Sequence, residues 1–142
     1  MSPRLVTGDF VGKIIHAGWV IGTSTTGFLE TGDAKTSYVM PARGLLLAYD
    51  ETTGTALVQG GLTTDADTTG VTFQLRNTNT TGTDLLNTTG VTITSARYAQ
   101  DGILITTQSS LIIDKGDVLN IDLDTANTQE GAMFIQAYFV GV

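Results

Sequence analysis

The stretch of sequence that decides the fold is KGDVLNIDLD, residues 115–124. Gly116 and Asp117 are typical of a tight turn, and apolar and polar residues alternate after them. Successive side chains of a β-strand point to opposite faces, so the pattern predicts a strand with one face in a core and the other in water. Leu119, Ile121 and Leu123 form the apolar face, and Asn120, Asp122 and Asp124 form the polar face. We therefore expect an antiparallel sheet with one solvated face.

The same pattern recurs along the chain, separated by turns. Five Thr-Thr-Gly triplets begin at residues 25, 52, 68, 80 and 88, and strand-like residues follow each of them. Glycine tolerates the positive φ that hairpin turns require, and threonine favours extended backbone. The strands predicted in this way lie near residues 10–21, 28–31, 36–40, 44–50, 56–60, 71–76, 91–97, 102–107, 110–113, 117–124 and 132–140.

Many short strands without sustained helical periodicity predict an all-β protein, an antiparallel two-sheet β-sandwich. A jelly roll is favoured over an immunoglobulin-type sandwich because it accommodates this number of strands. We expect a single β-sandwich domain over residues 13–142, preceded at residues 1–12 by either an N-terminal arm or an edge strand with a frayed start. The predicted core is Leu46, Val71, Phe73, Leu75, Val91, Ile93, Leu119, Ile121 and Leu123.

Composition excludes several classes of function. The 142 residues include 7 Lys and Arg against 14 Asp and Glu, a formal charge of -7 that repels phosphate backbones, so we expect no nucleic acid partner. No apolar run approaches the roughly 20 residues of a spanning helix, and we expect no membrane partner and no signal peptide. Cysteine is absent, which excludes disulfides and thiolate chemistry.

Few residues suggest catalysis. His16 is the only histidine, and its place in an apolar strand is more typical of a sheet or interface residue than of a catalytic base. Asp122 and Asp124 share a strand face, but a solvated face explains them without a glycosidase pair. Asp65 with Asp67, and Asp122 with Asp124, offer oxygen ligands for calcium without the spacing of an EF-hand. We expect no enzyme activity, no catalytic or metal site, and no cofactor.

Two segments carry more apolar surface than one sheet face can bury. Residues 44–49 and 132–140 are apolar on both faces, which predicts that a second layer or another chain covers them. Trp19 and Phe28, together with the tyrosines, could alternatively form a platform that stacks on sugar rings.

The order of parts carries a family resemblance. A Tyr38-x-x-Pro41 segment leads into the apolar strand at 44–49, followed by TGTAL at 53–57, alternating strands, and KGDVLNID at 115–122 before a closing apolar strand. Over roughly residues 36–142 the chain resembles the small jelly-roll domains of tailed-phage virions, in particular capsid decoration (cement) proteins. It also resembles the related modules of fibres and tails.

This resemblance implies a structural protein of the bacteriophage virion that has no catalytic residues. It would bind the outer capsid surface and stabilise the shell. Its partners would be the major capsid protein and its own copies, with which it would form a dimer or trimer. The alternative is a receptor- or carbohydrate-binding module of a fibre or tail. The residues that we expect at interfaces are Leu5, Phe10, Trp19, Phe28 and Arg43.

Overall fold

The computed structural model describes residues 10–22, 27–78, 82–87, 89–126 and 128–142. Within these ranges the chain forms thirteen β-strands and a short 3₁₀ helix at Gln108–Leu111. The strands are β1 (Ile14–Ile21), β2 (Gly32–Val39), β3 (Gly44–Leu46), β4 (Ala48–Asp50), β5 (Thr55–Ala56), β6 (Val58–Leu62), β7 (Val71–Asn77), β8 (Thr83–Asp84), β9 (Val91–Ile93), β10 (Tyr98–Ala99), β11 (Ile112–Ile113), β12 (Val118–Thr125) and β13 (Met133–Gly141). No helix in the described part of the chain has the length and apolar character needed to cross a membrane.

The strands form two main sheets and a small β4–β5 hairpin. In the first, the β13 sheet, β1 pairs with one side of β13 while β6 and β3 pair with the other, and β10 and β11 extend it outward. In the second, the β12 sheet, β12 lies between β2 and β7, and β8 and β9 pair with β7. The named strands pair antiparallel throughout, which confirms the predicted two-sheet β-sandwich. The jelly-roll arrangement stays a prediction.

The core lies between the two sheets and follows the alternation in the sequence. All nine predicted core residues are buried, including Leu119, Ile121 and Leu123 of β12. Phe73 and Leu75 face them from the neighbouring strand β7. The β13 sheet contributes its inward positions from β1 and β13: Ile15, Ala17, Trp19, Ile21, Met133, Ile135, Ala137 and Phe139.

Two predicted strands are not strands in the structure. Around residues 28–31, Phe28 makes one isolated bridge to Glu130. Within residues 102–107, Ile103 bridges to Thr55 whereas Leu104 bridges to Leu86. Because the pairing partner changes from one residue to the next, no continuous ladder can extend through this segment.

The polar face of β12 differs from the expected solvated face. Asp124 is exposed, but Asn120 and Asp122 are buried. The Ser37 hydroxyl donates a 2.5 Å hydrogen bond to Asn120 Oδ1, and the Ala34 N–H donates a 2.8 Å bond to Asp122 Oδ1. Polar groups of the adjacent strand therefore replace water at the centre of this face.

The predicted N-terminal arm is described only at its last residues. Residues 1–9 lie outside the described ranges, whereas Val11 forms a parallel bridge to Gly141. The Gly12 N–H donates a 2.8 Å bond to the Gly141 carbonyl. Residues 10–12 therefore enter the fold beside the end of β13.

Candidate functional site: the outer face of the β13 sheet

The face of the β13 sheet that points away from the core is an uncharged surface, called here the outer face. Its residues come from six strands and include no Asp, Glu, Lys or Arg: Ile14, His16, Gly18, Val20, Leu45, Gln59, Gly61, Tyr98, Ile112, Phe134, Gln136, Tyr138 and Val140. They share this face because residues directly opposite in antiparallel strands point to the same side.

An apolar row crosses the outer face. Val20 of β1 pairs with Phe134 of β13, Phe134 pairs with Gly61 of β6, and Gly61 pairs with Tyr98 of β10. Val20 is 58% exposed, Phe134 50% and Tyr98 55%. Exposed apolar side chains gathered on one face in this way are typical of interaction sites.

A polar row runs beside the apolar row and is connected by hydrogen bonds. His16 Nε2 lies 3.0 Å from Gln136 Oε1, and Gln136 Nε2 donates a 2.6 Å bond to Gln59 Oε1. Gln59 Nε2 donates a 3.0 Å bond to Gln100 Oε1, which also accepts a 2.7 Å bond from the Tyr98 hydroxyl. The amide groups therefore satisfy one another and are held in one arrangement across four strands.

Histidine 16 is fixed by its neighbours on this face. Its ring stacks on Tyr138, with centroids 4.7 Å apart and planes 9° apart. In the described part of the chain, the partners that the structure gives its side chain are this ring and the amide of Gln136. These contacts orient the imidazole as part of a surface, which is the sheet or interface position expected from the sequence.

Two glycines leave hollows in the outer face. A Cβ atom added to Gly18 would have its nearest neighbour, the Ile135 carbonyl oxygen, at 3.9 Å. At Gly61 the nearest atom, the Arg97 carbonyl oxygen, would be at 3.8 Å. Both distances are ordinary van der Waals contacts, so the interior of the fold does not require glycine here. The effect of the glycines is to leave the backbone open to an approaching partner.

The opposite side of the sandwich is acidic. Asp33, Asp84, Asp122 and Asp124 lie near one another there, and Arg76 Nη1 lies 3.6 Å from Asp122 Oδ2. Burial, together with the nearby carboxylates, raises the pKa of Asp124 above its usual 3.8. Burial also raises the pKa of Asp84, against the opposing attraction of Arg76. The two surfaces of the sandwich thus differ sharply in charge.

The described ranges contain no group of three or more His, Asp or Glu side chains arranged to hold a metal ion. Asp65, considered above as a calcium ligand, pairs with Arg97 at 2.8 Å. The Oδ1 atom of Asp67 accepts hydrogen bonds from the backbone N–H groups of Thr69 (2.9 Å) and Gly70 (2.8 Å). The Asp65 carboxylate is thus engaged in an ion pair, and the Asp67 carboxylate stabilises a turn.

The structure separates the residues predicted at interfaces. Phe10, Phe28 and Arg43 lie at the surface, and Arg43 pairs with Asp114 at 3.3 Å. Leu5 lies outside the described residues. The expectation that Trp19 lies at the surface is corrected by the structure. Only 3% of this residue is exposed, and its Nε1–H donates a 3.1 Å bond to the Leu119 carbonyl. It faces inward on β1 and connects the sheets, so it offers almost no surface to a partner or a sugar ring.

Sequence reasoning missed most of the outer face. The signal was present in part, since Phe134, Tyr138 and Val140 are the apolar residues that alternate with the buried face of β13. Val20 and Tyr98 lie beside these residues because of how the strands pair, and the pairing could not be predicted from the sequence.

Comparison of the sequence with protein-family models and with curated proteins finds no match. Among solved structures, a chain of the cyanophage Pam1 capsid asymmetric unit is similar over 100% of this chain and 92% of that chain, with a TM-score of 0.41 and 12% identity.

Proposed function

We propose that this chain is a structural protein of a phage virion that binds the outside of the capsid, stabilises the shell, and uses the outer face of the β13 sheet as its docking surface. The observation that carries the proposal is that a chain with a formal charge of -7 keeps this face free of charged side chains and exposes an apolar row on it. The resemblance of residues 36–142 to capsid decoration proteins supports the choice of partner, the major capsid protein.

The physical chemistry of the face suits burial against another protein. The cores of protein interfaces are depleted in charged residues and enriched in aromatic ones, because a charge removed from water without a partner is costly. The amides of the polar row already make hydrogen bonds to one another, so covering them leaves few unsatisfied groups. The acidic side would then face solvent, where negative charge favours solubility.

The experiment is co-sedimentation of the purified chain with shells assembled from the major capsid protein of the same genome. Phe134→Arg places a charge in the middle of the apolar row, and we expect it to weaken binding by about 1.4 kcal/mol or more, a tenfold effect. Val39→Arg is the matched control, since Val39 is 58% exposed on β2 of the other sheet. Wild-type chain that stays in the supernatant, or two variants that bind equally, would contradict the proposal.

Stabilisation of the shell is measured separately. Decorated shells should release their contents at a higher temperature than bare shells, because a ligand that binds the assembled state stabilises it. If shells saturated with the chain release their contents at the same temperature as bare shells, the chain binds the capsid without stabilising it.

We also propose that residues 1–12 act as an arm on a neighbouring subunit. Phe10 is exposed where residues 10–12 join the fold beside Gly141. Deletion of residues 2–9 spares the described bridge between Val11 and Gly141, so weaker shell binding by this variant would report on the arm itself. Unchanged binding would remove the arm from the proposal.

The alternative is a receptor- or carbohydrate-binding module of a fibre or tail. It is favoured by the exposed ring of Tyr98 beside the amide of Gln100, a combination suited to stacking on a sugar and to hydrogen bonding with its hydroxyls. Immunogold labelling of virions separates the two functions: we expect label over the shell, whereas label at tail tips together with Tyr98-dependent glycan binding would favour the alternative.

A further inference from the structure

Strand β1 forms an edge of the β13 sheet. Its eight residues pair with β13 from Ile14 opposite Val140 to Ile21 opposite Met133. Across the described segments, no named strand pairs with its other side. An unpaired strand edge presents free backbone donors and acceptors to any strand that can approach it.

The backbone groups on this free edge can be assigned. The Gly141 N–H donates a 2.8 Å bond to the Lys13 carbonyl, so the odd-numbered residues of β1 direct their backbone groups toward β13. The His16 carbonyl instead lies 3.5 Å from the Tyr38 hydroxyl, on the side away from β13. The free edge is therefore formed by the even-numbered residues, Ile14, His16, Gly18 and Val20.

This edge lacks the features that normally prevent strand pairing. The edge strand of the other sheet, β2, carries the charges of Asp33 and Lys35, and Ala34 has a φ of 50°. Its pairing with β12 also shifts register between Ile121 and Leu123. β1 has neither a charged residue nor a proline in its eight positions, and its pairing with β13 is regular. Charges and irregularities protect edges, so β2 is protected by its own sequence. The edge of β1 has no such protection and is approached from β2 by the Tyr38 hydroxyl at the His16 carbonyl.

We infer that β1 pairs with β1 of a second copy of this chain, antiparallel about a two-fold axis at Gly18. Self-association is favoured because this register places Gly18 opposite its own copy and His16 opposite Val20, with no like charges facing each other despite the net charge of -7. Each N–H of this edge then meets a carbonyl of the partner, and the Val20 N–H takes the place of the Tyr38 hydroxyl at the His16 carbonyl. The pairing would join two outer faces into one uncharged surface.

The inference is tested by sedimentation equilibrium of the full chain. The wild type should be a dimer, and Gly18→Lys, which sets two like charges opposite each other at the axis, should raise the dimer dissociation constant about tenfold or more. Gly61→Lys is the matched control, because it puts the same charge on the same face at an equally open glycine, and it should remain dimeric. A wild-type chain that is monomeric at all accessible concentrations overturns the inference, and so does dissociation by Gly61→Lys alone.

A cross-link tests the register. The chain has no cysteine, so Gly18→Cys introduces a single thiol. In a hydrogen-bonded antiparallel pair the Cα atoms are about 5.5 Å apart, within the usual disulfide range of about 4.4–6.8 Å. Mild oxidation should yield a covalent dimer of Gly18→Cys and not of Gly61→Cys; the reverse result would indicate association through the faces and overturn the inference.

The inference and the proposed function fail independently of each other. A monomeric Gly18→Lys chain that still sediments with shells would support the edge contact and show that capsid binding does not need it. A wild-type dimer that does not bind shells would support the edge contact and contradict the capsid function.

Discussion

His16 of β1 lies face to face with Tyr138 of β13, with ring centroids 4.7 Å apart and ring planes 9° apart. The two residues are directly opposite in the register, and both carry hydrogen bonds to Gln136 Oε1 at 3.0 and 3.4 Å. The stack therefore joins the edge strand to the polar row that crosses the outer face. A histidine that sequence alone offers as a catalytic candidate is here part of an ordered surface.

The first prediction concerns the core. Ile121→Ala should lower the free energy of unfolding by about 2–5 kcal/mol, because Ile121 is fully buried and truncation leaves a cavity. Val39→Ala, at an exposed position of β2, should change it by about 0.5 kcal/mol or less. Urea denaturation followed by tryptophan fluorescence measures both values, and similar losses in the two variants would contradict the burial of Ile121.

The second prediction concerns the buried carboxylate of Asp122. Arg76→Gln removes the guanidinium that lies 3.6 Å from Asp122 and should destabilise the fold by about 1–3 kcal/mol, less than for a fully buried pair because Arg76 is partly exposed. The double variant with Asp122→Asn should recover part of this loss, since no buried charge then lacks its partner. A double-mutant cycle with strictly additive effects would show that the two side chains do not interact.

The third prediction concerns pH. Burial and the neighbouring carboxylates of Asp122, Asp84 and Asp33 raise the pKa of Asp124 above 3.8. The folded chain therefore keeps this proton to a higher pH than the unfolded chain, and stability falls as the pH rises through the interval between the two pKa values. Asp124→Asn should be more stable than wild type at pH 7, by about 0.5 kcal/mol or less because solvent screens this exposed residue.

The pH dependence identifies the cause. The advantage of Asp124→Asn should vanish below pH 3.8, the ordinary pKa, where both states of the wild type are protonated. It should also shrink with added salt. Glu51→Gln, at an exposed turn residue, serves as the control, and a constant advantage at every pH would exclude charge repulsion as its origin.

The fourth prediction concerns the turns. Gly70 has a φ of +85°, and a Cβ atom added there would lie 2.5 Å from the Ile93 carbonyl oxygen. Gly116 has a nearly equal φ of +86° with open space around it. Gly116→Ala should cost about 1–2 kcal/mol from backbone strain alone, and Gly70→Ala about 3 kcal/mol or more. Thermal unfolding measures the difference, and equal losses would show that the strand near Ile93 yields to the added methyl group.

The sequence predicted the features that depend on neighbours along the chain. Alternation identified both the inward face of β12 and that of β7. The glycines of all five Thr-Thr-Gly triplets have positive φ, as the turn pattern predicted: Gly27, Gly54, Gly70, Gly82 and Gly90. Backbone conformation and burial at these positions depend on residues nearby in the sequence, so they could be predicted from it.

Features that depend on distant residues could not be predicted in this way. Asp122 is buried because Ala34 and Arg76 reach it from other strands. In β1, both Trp19 and Val20 are apolar, so the sequence does not say which of them faces the core. Register with β13 and the position of the second sheet decide that Trp19 is inside. For this reason the sequence could place Trp19 at an interface although its side chain lies in the core.

The position of β13 constrains how the chain is made. This strand pairs with β1, β3 and β6, yet it is the last of the described strands in sequence. During synthesis, β1 leaves the ribosome before β13 and cannot acquire this partner until more than a hundred further residues have been added. Such non-local pairing slows folding and leaves strand edges uncovered meanwhile. A chain that ends before β13 would leave this whole sheet without its centre, so the sheet cannot assemble until β13 has been synthesised.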